Sequence, residues 1–236
     1  MRVVILAGGK GSRLRPFTTL VPKPLMPIGG KYSILEIIIM QLSRSGFTHI
    51  TLAVNHLSHL IMSYFGDGSK WGIKLDYSVE DSSLSTIGPL TLITDLPDDF
   101  LVMNGDILSD LDYSFFLKKH IQDQAKVSVS AYKRTVKIDF GVLSFDKENL
   151  LTSFQEKPVY EFNVSMGIYA INKSIILKLT KGSLYGFDHL MIDALKNSMD
   201  INIVPYEGFW LDIGRPDDYD EANNSFSTIE EKLKIN

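Results

Sequence analysis

At 236 residues and 44% hydrophobic content, the chain can bury a sizeable core and fits a single α/β domain. Its 24 basic and 28 acidic residues give a net charge of -4, which argues against a broad cationic footprint for nucleic acid and confines any phosphate contacts to a local site. The absence of cysteine excludes a disulfide framework, a thiolate metal site and a cysteine nucleophile. The apolar runs Val3–Ala7 and Ile34–Met40 are too short for a secretory core or a membrane span, so a cytoplasmic protein without a membrane partner is expected.

In chain order, Val3–Ala7 reads as a strand buried on both faces, and Ile34–Arg44, closed by Gly46, as a helix with apolar residues at helical spacing. Thr48–Val54 is a β-branched strand, Leu57–Phe65 a helix ended by Gly66, and Ile73–Val79 an alternating strand. Phe100–Met103 is a further buried strand that stops at "NGD", followed by a helix over Tyr113–Gln124 and a strand over Lys126–Tyr132. This alternation predicts a mainly parallel sheet with its ligand site beyond the carboxyl ends of the strands. From Phe140 the rhythm changes. "FGVLSFD", "LLTSFQEKP" and "VSMGIYAIN" read as short strands of an antiparallel insertion. Helices over Ser174–Leu179 and Asp188–Asn197, a strand over Ile201–Pro205 and a charged helix from about Pro216 complete the chain. The sequence carries no internal repeat, and nothing like a hexapeptide β-helix array follows Gly214.

The first strand runs straight into "GGKG", Gly8–Gly11, a turn whose backbone amides could approach an anion without a Cβ in the way. It is not a Walker A loop, because Lys10 precedes Gly11, and the dinucleotide fingerprint GxGxxG fails at its third glycine, where Leu14 stands. What remains is a glycine turn followed by Arg13, Arg15 and Lys23, the last held between Pro22 and Pro24, which restrict it toward an extended backbone. A lone glycine turn is more often only a tight turn. This density of cations and prolines favours a site for a polyphosphate. Asp106, just past a buried strand, and Asp212, in "LDIG", form a reasonable carboxylate pair for Mg²⁺, although a cap or turn role is commoner for either alone. Glu156-Lys157-Pro158 repeats the device of a cation locked before proline, and Gly141 and Gly167 suit either a close backbone approach or a bulge.

Gly8 through Pro27 resembles the signature G-G-x-G-[ST]-R-L-x-P-x-T-x-x-x-P-K-P-[LM]-x-P of the sugar-1-phosphate nucleotidylyltransferases. "NGD" at Asn104–Asp106, "FGV" at Phe140–Val142, "QEKP" at Gln155–Pro158, "GIY" at Gly167–Tyr169 and "WLDIGRPDDY" at Trp210–Tyr219 extend the resemblance over nearly the whole chain. Among the nucleotide-specific branches the chain is most similar to the mannose-1-phosphate and D-glycero-D-manno-heptose-1-phosphate guanylyltransferases, with thymidylyl- and cytidylyltransferases next. The resemblance implies a Rossmann-like three-layer α/β/α fold, glycosyltransferase-A-like, with a mainly parallel central sheet and a small antiparallel sugar-binding insertion. One domain would span 1–236, divided into a nucleotide-binding part (about 1–125), a sugar-binding part (about 126–215) and a C-terminal helix (about 216–236).

The same resemblance implies Arg13 and Lys23 as catalytic residues. It implies nucleotide contacts from Leu6, Ala7, Gly8, Gly9, Gly11, Ser12, Arg13, Glu80, Gly88, Asn104 and Gly105. Sugar-phosphate contacts would come from Gly141, Glu156, Lys157, Ser165 and Gly167, and Mg²⁺ would be held by Asp106 and Asp212. The implied substrates are an NTP, with GTP the first choice, and a manno-configured hexose or heptose 1-phosphate. Glucose 1-phosphate with dTTP or CTP is the alternative, and a homodimer through the sheet edge is left open. Such a reaction needs no strong base, since a phosphate monoester with a second pKa near ~6 is already ionised at neutral pH. Its difficulty is the approach of two anions, which cations and a divalent ion offset. A catalytically silent nucleotide-sugar sensor is the rival from another class, disfavoured by the joint presence of Arg13, Lys23, Asp106 and Asp212. A dinucleotide-dependent oxidoreductase is disfavoured by the failed third glycine.

Departures from the family pattern lie at Ser85 and Ile87, in the stretch expected along the base, and at Ser165 and Met166, where relatives often carry Asn-Ala. His56 and His59 lack a third ligand and read as ordinary surface or half-buried histidines. Phe115, Phe116 and Ile37–Ile39 read as core, and the tail "EEKLKIN" as a solvated helix end.

Overall fold

The computed structural model describes residues 1–235. The first half runs β1 (Arg2–Leu6), β2 (Pro27–Ile28), β3 (Tyr32–Ser33), α1 (Ile34–Arg44), β4 (His49–Val54), α2 (Ser58–Phe65), β5 (Lys74–Val79), β6 (Asp99–Asn104), β7 (Ile107–Ser109) and α3 (Tyr113–Gln122). The second half runs β8 (Val127–Lys137), β9 (Val142–Phe145), β10 (Leu151–Gln155), β11 (Val159–Asn172), α4 (Lys173–Ile176), α5 (Phe187–Lys196), β12 (Asn202–Tyr206), β13 (Trp210–Asp212), α6 (Pro216–Asn224) and α7 (Phe226–Leu233).

Seven strands form the central sheet in the order β12-β8-β11-β6-β1-β4-β5. The β1–β4, β1–β6, β4–β5 and β8–β12 pairings are parallel, and β11 runs antiparallel to both β6 and β8. Strand β1 is where the topology switches direction. The chain steps outward from β1 to β4 and β5, then returns to place β6 on β1's other side. In open α/β sheets such a point leaves a crevice at the carboxyl ends of the strands. Here Gly105 donates its N–H to the Leu6 carbonyl at 2.9 Å, and Ala7 donates to that of Ala53 at 2.8 Å, so the crevice floor is continuous across three strands.

Alternation along β1 explains the three layers. Val3 and Ile5 face a core shared with α1, α2, α3, α6 and α7, whereas Val4 faces a second core closed by α4, α5 and the 3-10 turn Gly88–Leu92. Helix α1 starts where Ser33 accepts the N–H of Glu36 at 3.2 Å, a side-chain N-cap. Glu36 lies buried in that helix because two donors satisfy it, the Tyr64 hydroxyl at 3.0 Å and the Lys70 ammonium at 2.8 Å. Ile37, Ile38 and Ile39 are all fully buried, as the sequence predicts.

Four expectations need correction. Phe115 is 62% exposed while Phe116 is buried, since adjacent residues on one helix point to different faces. The tail is not simply solvated. The terminal helix breaks at Ser225, and in α7 Phe226, Ile229 and Leu233 recur at helical spacing and are buried, with Ile235 behind them. The final strand of the insertion is not short, for β11 starts at Val159 and runs 14 residues. Its partner β8 continues past Tyr132 to Lys137.

One buried titratable group marks the junction of α3 with the sheet. His120 is buried, with Nδ1 2.8 Å from the Ser128 hydroxyl and Nε2 3.3 Å from the Asp99 carboxylate. Burial pushes its imidazole below the ordinary value, and the charge of Asp99 only partly offsets this. A depressed histidine pKa means that the native state binds fewer protons than the unfolded chain below about pH 6.5. Stability from this group is therefore present above that pH and lost as pH falls. The melting temperature should drop between pH 7 and pH 5 in the wild type, and His120→Gln should show a shallower slope in the same buffers.

Candidate active site

Polar and charged groups gather at the carboxyl ends of β1 and β6. A cavity of about 240 Å³ there is lined by Leu6, Ala7, Gly9, Gly11, Ser12, Arg13, Lys23, Pro24, Gly105, Asp106 and Gly214. The turn after β1 is shaped by its glycines, but for different reasons. A Cβ on Gly8 would sit 3.0 Å from Glu80 Oε1, and Gly11 combines φ +59° with a Cβ position 2.9 Å from Thr18 Cγ2. Backbone and packing together require glycine at 11, and at 8 a side chain would be crowded against Glu80 and Asn55. A Cβ on Gly9 would meet nothing within 4 Å, so the fold itself does not demand glycine there. Gly11 caps a 3-10 turn, Ser12–Leu14, whose Leu14 is fully buried, and this anchor leaves Arg13 exposed at the mouth of the cavity. Thr18 secures the turn by donating its hydroxyl to the Gly11 carbonyl at 2.7 Å.

Lys23 opens a single 3-10 turn, Lys23–Leu25, rather than the extended segment that its flanking prolines suggest. The side chain is 8% exposed, and its ammonium donates to Oδ2 of Asp106 in a short ion pair. Oδ1 of Asp106 is buried and has no hydrogen-bond partner. Asp212 reaches the same place through β13, which pairs antiparallel with β7 and sets Asp212 opposite Ile107, the residue after Asp106. Burial raises the Asp212 carboxyl above the usual range, the Asp106 charge raises it further, and Lys23 and Arg13 act in the opposite sense.

Mg²⁺ fits this pair. One carboxylate carries a buried oxygen without a donor, its neighbour is disfavoured as an anion by desolvation and like charge, and both offer hard oxygen ligands. Elsewhere among the described residues, His49, Asp76 and Asp95 come together at the amino-terminal ends of the strands. Lys74 and Arg2 already pair with those carboxylates at 2.8 Å, which makes that group a poor cation site.

The other expected residues divide. Glu80 is buried, holds the Leu84 N–H at 3.0 Å and is raised by burial, so it braces the loop from beneath Gly8. Gly88 is buried against Ser183, whose carbonyl would lie 2.4 Å from an added Cβ. Gly167 has φ +75° at a register shift in β11, and its Cβ would fall 2.7 Å from Asn104 Nδ2, so the bulge brings backbone against Asn104. Ser165 stabilises that bulge by accepting the Gly167 N–H at 3.2 Å. Gly141, Glu156 and Lys157 lie at the ends of β9 and β10, which pair only with each other, and all three are exposed and line neither this cavity nor the adjoining one.

Sequence reasoning missed Gly214, at which any Cβ would lie 3.2 Å from a nitrogen of the Arg13 guanidinium. It also missed an adjoining cavity of about 270 Å³ beyond Arg13, bounded by Tyr132, Arg134, Trp210, Asp212 and Arg215. The Tyr132 and Trp210 rings stand 5.2 Å apart there, and the Trp210 indole donates to the Met166 carbonyl at 3.1 Å.

Residues 2–228 match the family model described as "Nucleotidyl transferase". The chain is 34% identical over 232 residues to the probable mannose-1-phosphate guanylyltransferase 1 of Oryza sativa subsp. japonica, covering 93% of this chain and 63% of that protein. It is 31% identical to the UTP–glucose-1-phosphate uridylyltransferase of Synechocystis sp., covering 94% of this chain and 62% of that protein. The chain thus spans a little under two thirds of the length of these curated relatives. HddC from Yersinia pseudotuberculosis, solved in complex with GMP-PN, superimposes with a TM-score of 0.71 at 25% identity, over 95% of this chain and 99% of that one.

Gly9→Ala separates fold from ligand. It should leave the melting temperature unchanged and weaken nucleotide binding at least tenfold, read by titration calorimetry with a nonhydrolysable NTP. Equal affinity in both proteins would remove Gly9 from the binding surface.

Proposed function

The chain belongs to the nucleotidyl transferase family, and on that premise we propose that it transfers a nucleotidyl group from an NTP to a sugar 1-phosphate and releases pyrophosphate. The observation that carries this reading is the convergence of Arg13, Lys23, Asp106 and Asp212 at one cavity edge, on the topological switch point of the sheet.

The amides of the Gly8–Gly11 turn receive the nucleotide phosphates, with Arg13 at the outer phosphates and the Lys23 ammonium beside the α-phosphate. Asp106 and Asp212 would hold Mg²⁺, which would supply charge neutralisation at the reacting phosphate. An oxygen of the sugar phosphate, ionised at neutral pH, attacks the α-phosphorus. The bond from that phosphorus to the bridging oxygen breaks, and its electron pair leaves with pyrophosphate. No side chain has to take a proton. The work of the protein is alignment and the offsetting of repulsion between two anions. Glu80 and Asn104 brace the nucleotide side, and Gly167 and Ser165 shape the backbone next to the sugar. Glu156 and Lys157, on the β9–β10 ribbon, take sugar hydroxyls and the sugar phosphate.

GTP with a manno-configured hexose or heptose 1-phosphate is the favoured pairing. Its support is that several relatives are named mannose-1-phosphate guanylyltransferases and that HddC was solved with GMP-PN. The uridylyltransferase at 31% identity keeps glucose 1-phosphate with another base as the second reading.

A pyrophosphate-release panel crossing four NTPs with several sugar 1-phosphates tests the proposal. GTP with mannose 1-phosphate or a heptose 1-phosphate should give the highest kcat/KM, and silence in every pairing would sink the transferase reading. Lys23→Ala should lower kcat by 100-fold or more while the protein still melts cooperatively, and Asp212→Asn should raise the magnesium concentration needed for half-maximal rate.

A further inference from the structure

We infer that the cavity beyond Arg13 is the receiving site for the pyrophosphate leaving group, with Arg134 and Arg215 as its phosphate-gripping residues. This rests on the proposed function and adds to it two residues that lie outside the glycine turn and its lysine.

Arg13 borders both cavities, so an NTP with its α-phosphate at Lys23 and Asp106 carries its outer phosphates toward the second one. Three arginines from three separate elements line it: Arg13 from the turn after β1, Arg134 from β8 and Arg215 from the segment before α6. Residues 132 and 134 of β8 share a face, which sets Arg134 next to the wall formed by Tyr132 and Trp210. None of the three guanidinium groups makes an ion pair or hydrogen bond among the described residues, although Asp212, Asp218 and Glu221 border the same cavity. Those carboxylates have other duties. Asp212 belongs to the magnesium pair, and Asp218 accepts the backbone N–H groups of Gly214 and Arg215 at 3.2 and 2.8 Å. Glu221 remains as the opposing charge.

Side chains of one sign brought together without partners repel, and their arrangement suits a ligand of high opposite charge. Planar guanidinium groups match phosphate oxygens in pairs. Pyrophosphate carries more charge than the single phosphate of the incoming sugar, and in an in-line displacement the leaving group departs on the side opposite to the attack. A site past the outer phosphates therefore faces the departing group.

Arg134→Gln, Arg215→Gln and the double variant test this. All are exposed positions, and a thermal melt checks that each variant is folded. Magnesium pyrophosphate is titrated calorimetrically into wild type and variants, which needs no turnover, and KM is measured for pyrophosphate in the reverse reaction and for the sugar 1-phosphate in the forward one. The expected result is a rise in pyrophosphate Kd and KM of tenfold or more for each single variant and larger for the double, with the sugar-phosphate KM within twofold. Wild type that does not bind magnesium pyrophosphate at millimolar concentration, or variants that bind it equally well, overturns the inference. So does a rise confined to the sugar-phosphate KM, which assigns the arginines to the incoming substrate. If no substrate pairing turns over, the calorimetric arm still decides the site. Turnover with unchanged pyrophosphate affinity removes this inference and leaves the proposed function standing.

Discussion

The antiparallel pairing of β7 with β13 forces two carboxylates, Asp106 and Asp212, into one partly desolvated recess, and the surrounding charges answer that constraint. Two like charges at the edge of a low-dielectric interior cannot both remain ionised without compensation. Lys23 supplies part of it through one oxygen of Asp106, and the other oxygen stays buried without a donor. A single ammonium cannot satisfy two carboxylates, so the recess is matched to a divalent cation with several oxygen ligands. Lys23 is itself held by a 3-10 turn and by burial, which fixes the ammonium instead of leaving it on a flexible tether. The arginines differ in kind. They are exposed and unpaired, and their broad planar heads suit oxygens whose positions change as a phosphoanhydride breaks.

Much of this was legible in the amino-acid sequence because it depends on local chemistry. The parallel half of the sheet was readable from buried runs such as Val3–Ala7 and Phe100–Met103, and α1 from the apolar spacing between Ile34 and Arg44. The glycine turn, Lys23, Asp106 and Asp212 stand next to strand ends that the same patterns locate. The second half of β8 was illegible for a physical reason. Residues Lys133–Lys137 are exposed on both faces, so no alternation of apolar and polar residues marks them, and pairing with β11 alone holds them extended. Arg134 was hidden with them. Arg215 was in plain view within "GRPDDY", but only the tertiary fold shows that it lines one cavity with Arg13 and Arg134.

Glycine illustrates why residue type alone underdetermines role. Gly8, Gly88 and Gly167 all fall in stretches that resemble binding motifs, yet protein atoms lie between 2.4 and 3.0 Å from where each Cβ would stand. Packing accounts for Gly88 and Gly167 without any ligand, and it crowds Gly8. Gly9, in the same turn as Gly8, has no such neighbour, and its backbone lines the cavity directly. A motif read as three equivalent glycines thus separates into positions that build the loop and one whose lack of a side chain leaves the cavity surface open.

The same distinction between support and contact orders the two sides of the cleft. The proposed nucleotide side rests on elements tied into the main sheet: β1 and β6 lie at its centre, Gly105 bonds to Leu6, and Glu80 braces the turn from below. The proposed sugar side ends in the β9–β10 ribbon, which pairs only with itself and presents Leu143, Phe145, Leu151 and Phe154 more than half exposed. Register places these four on one face, since Leu143 opposes Phe154 and Phe145 opposes Leu151. A ribbon with so little buried area opens locally at low free energy compared with the central strands. Under the proposed function, contacts to the sugar fall on this weakly supported ribbon, while the phosphate chemistry, where an error of about 1 Å can cost ~100-fold in rate, is carried by strands at the centre of the sheet.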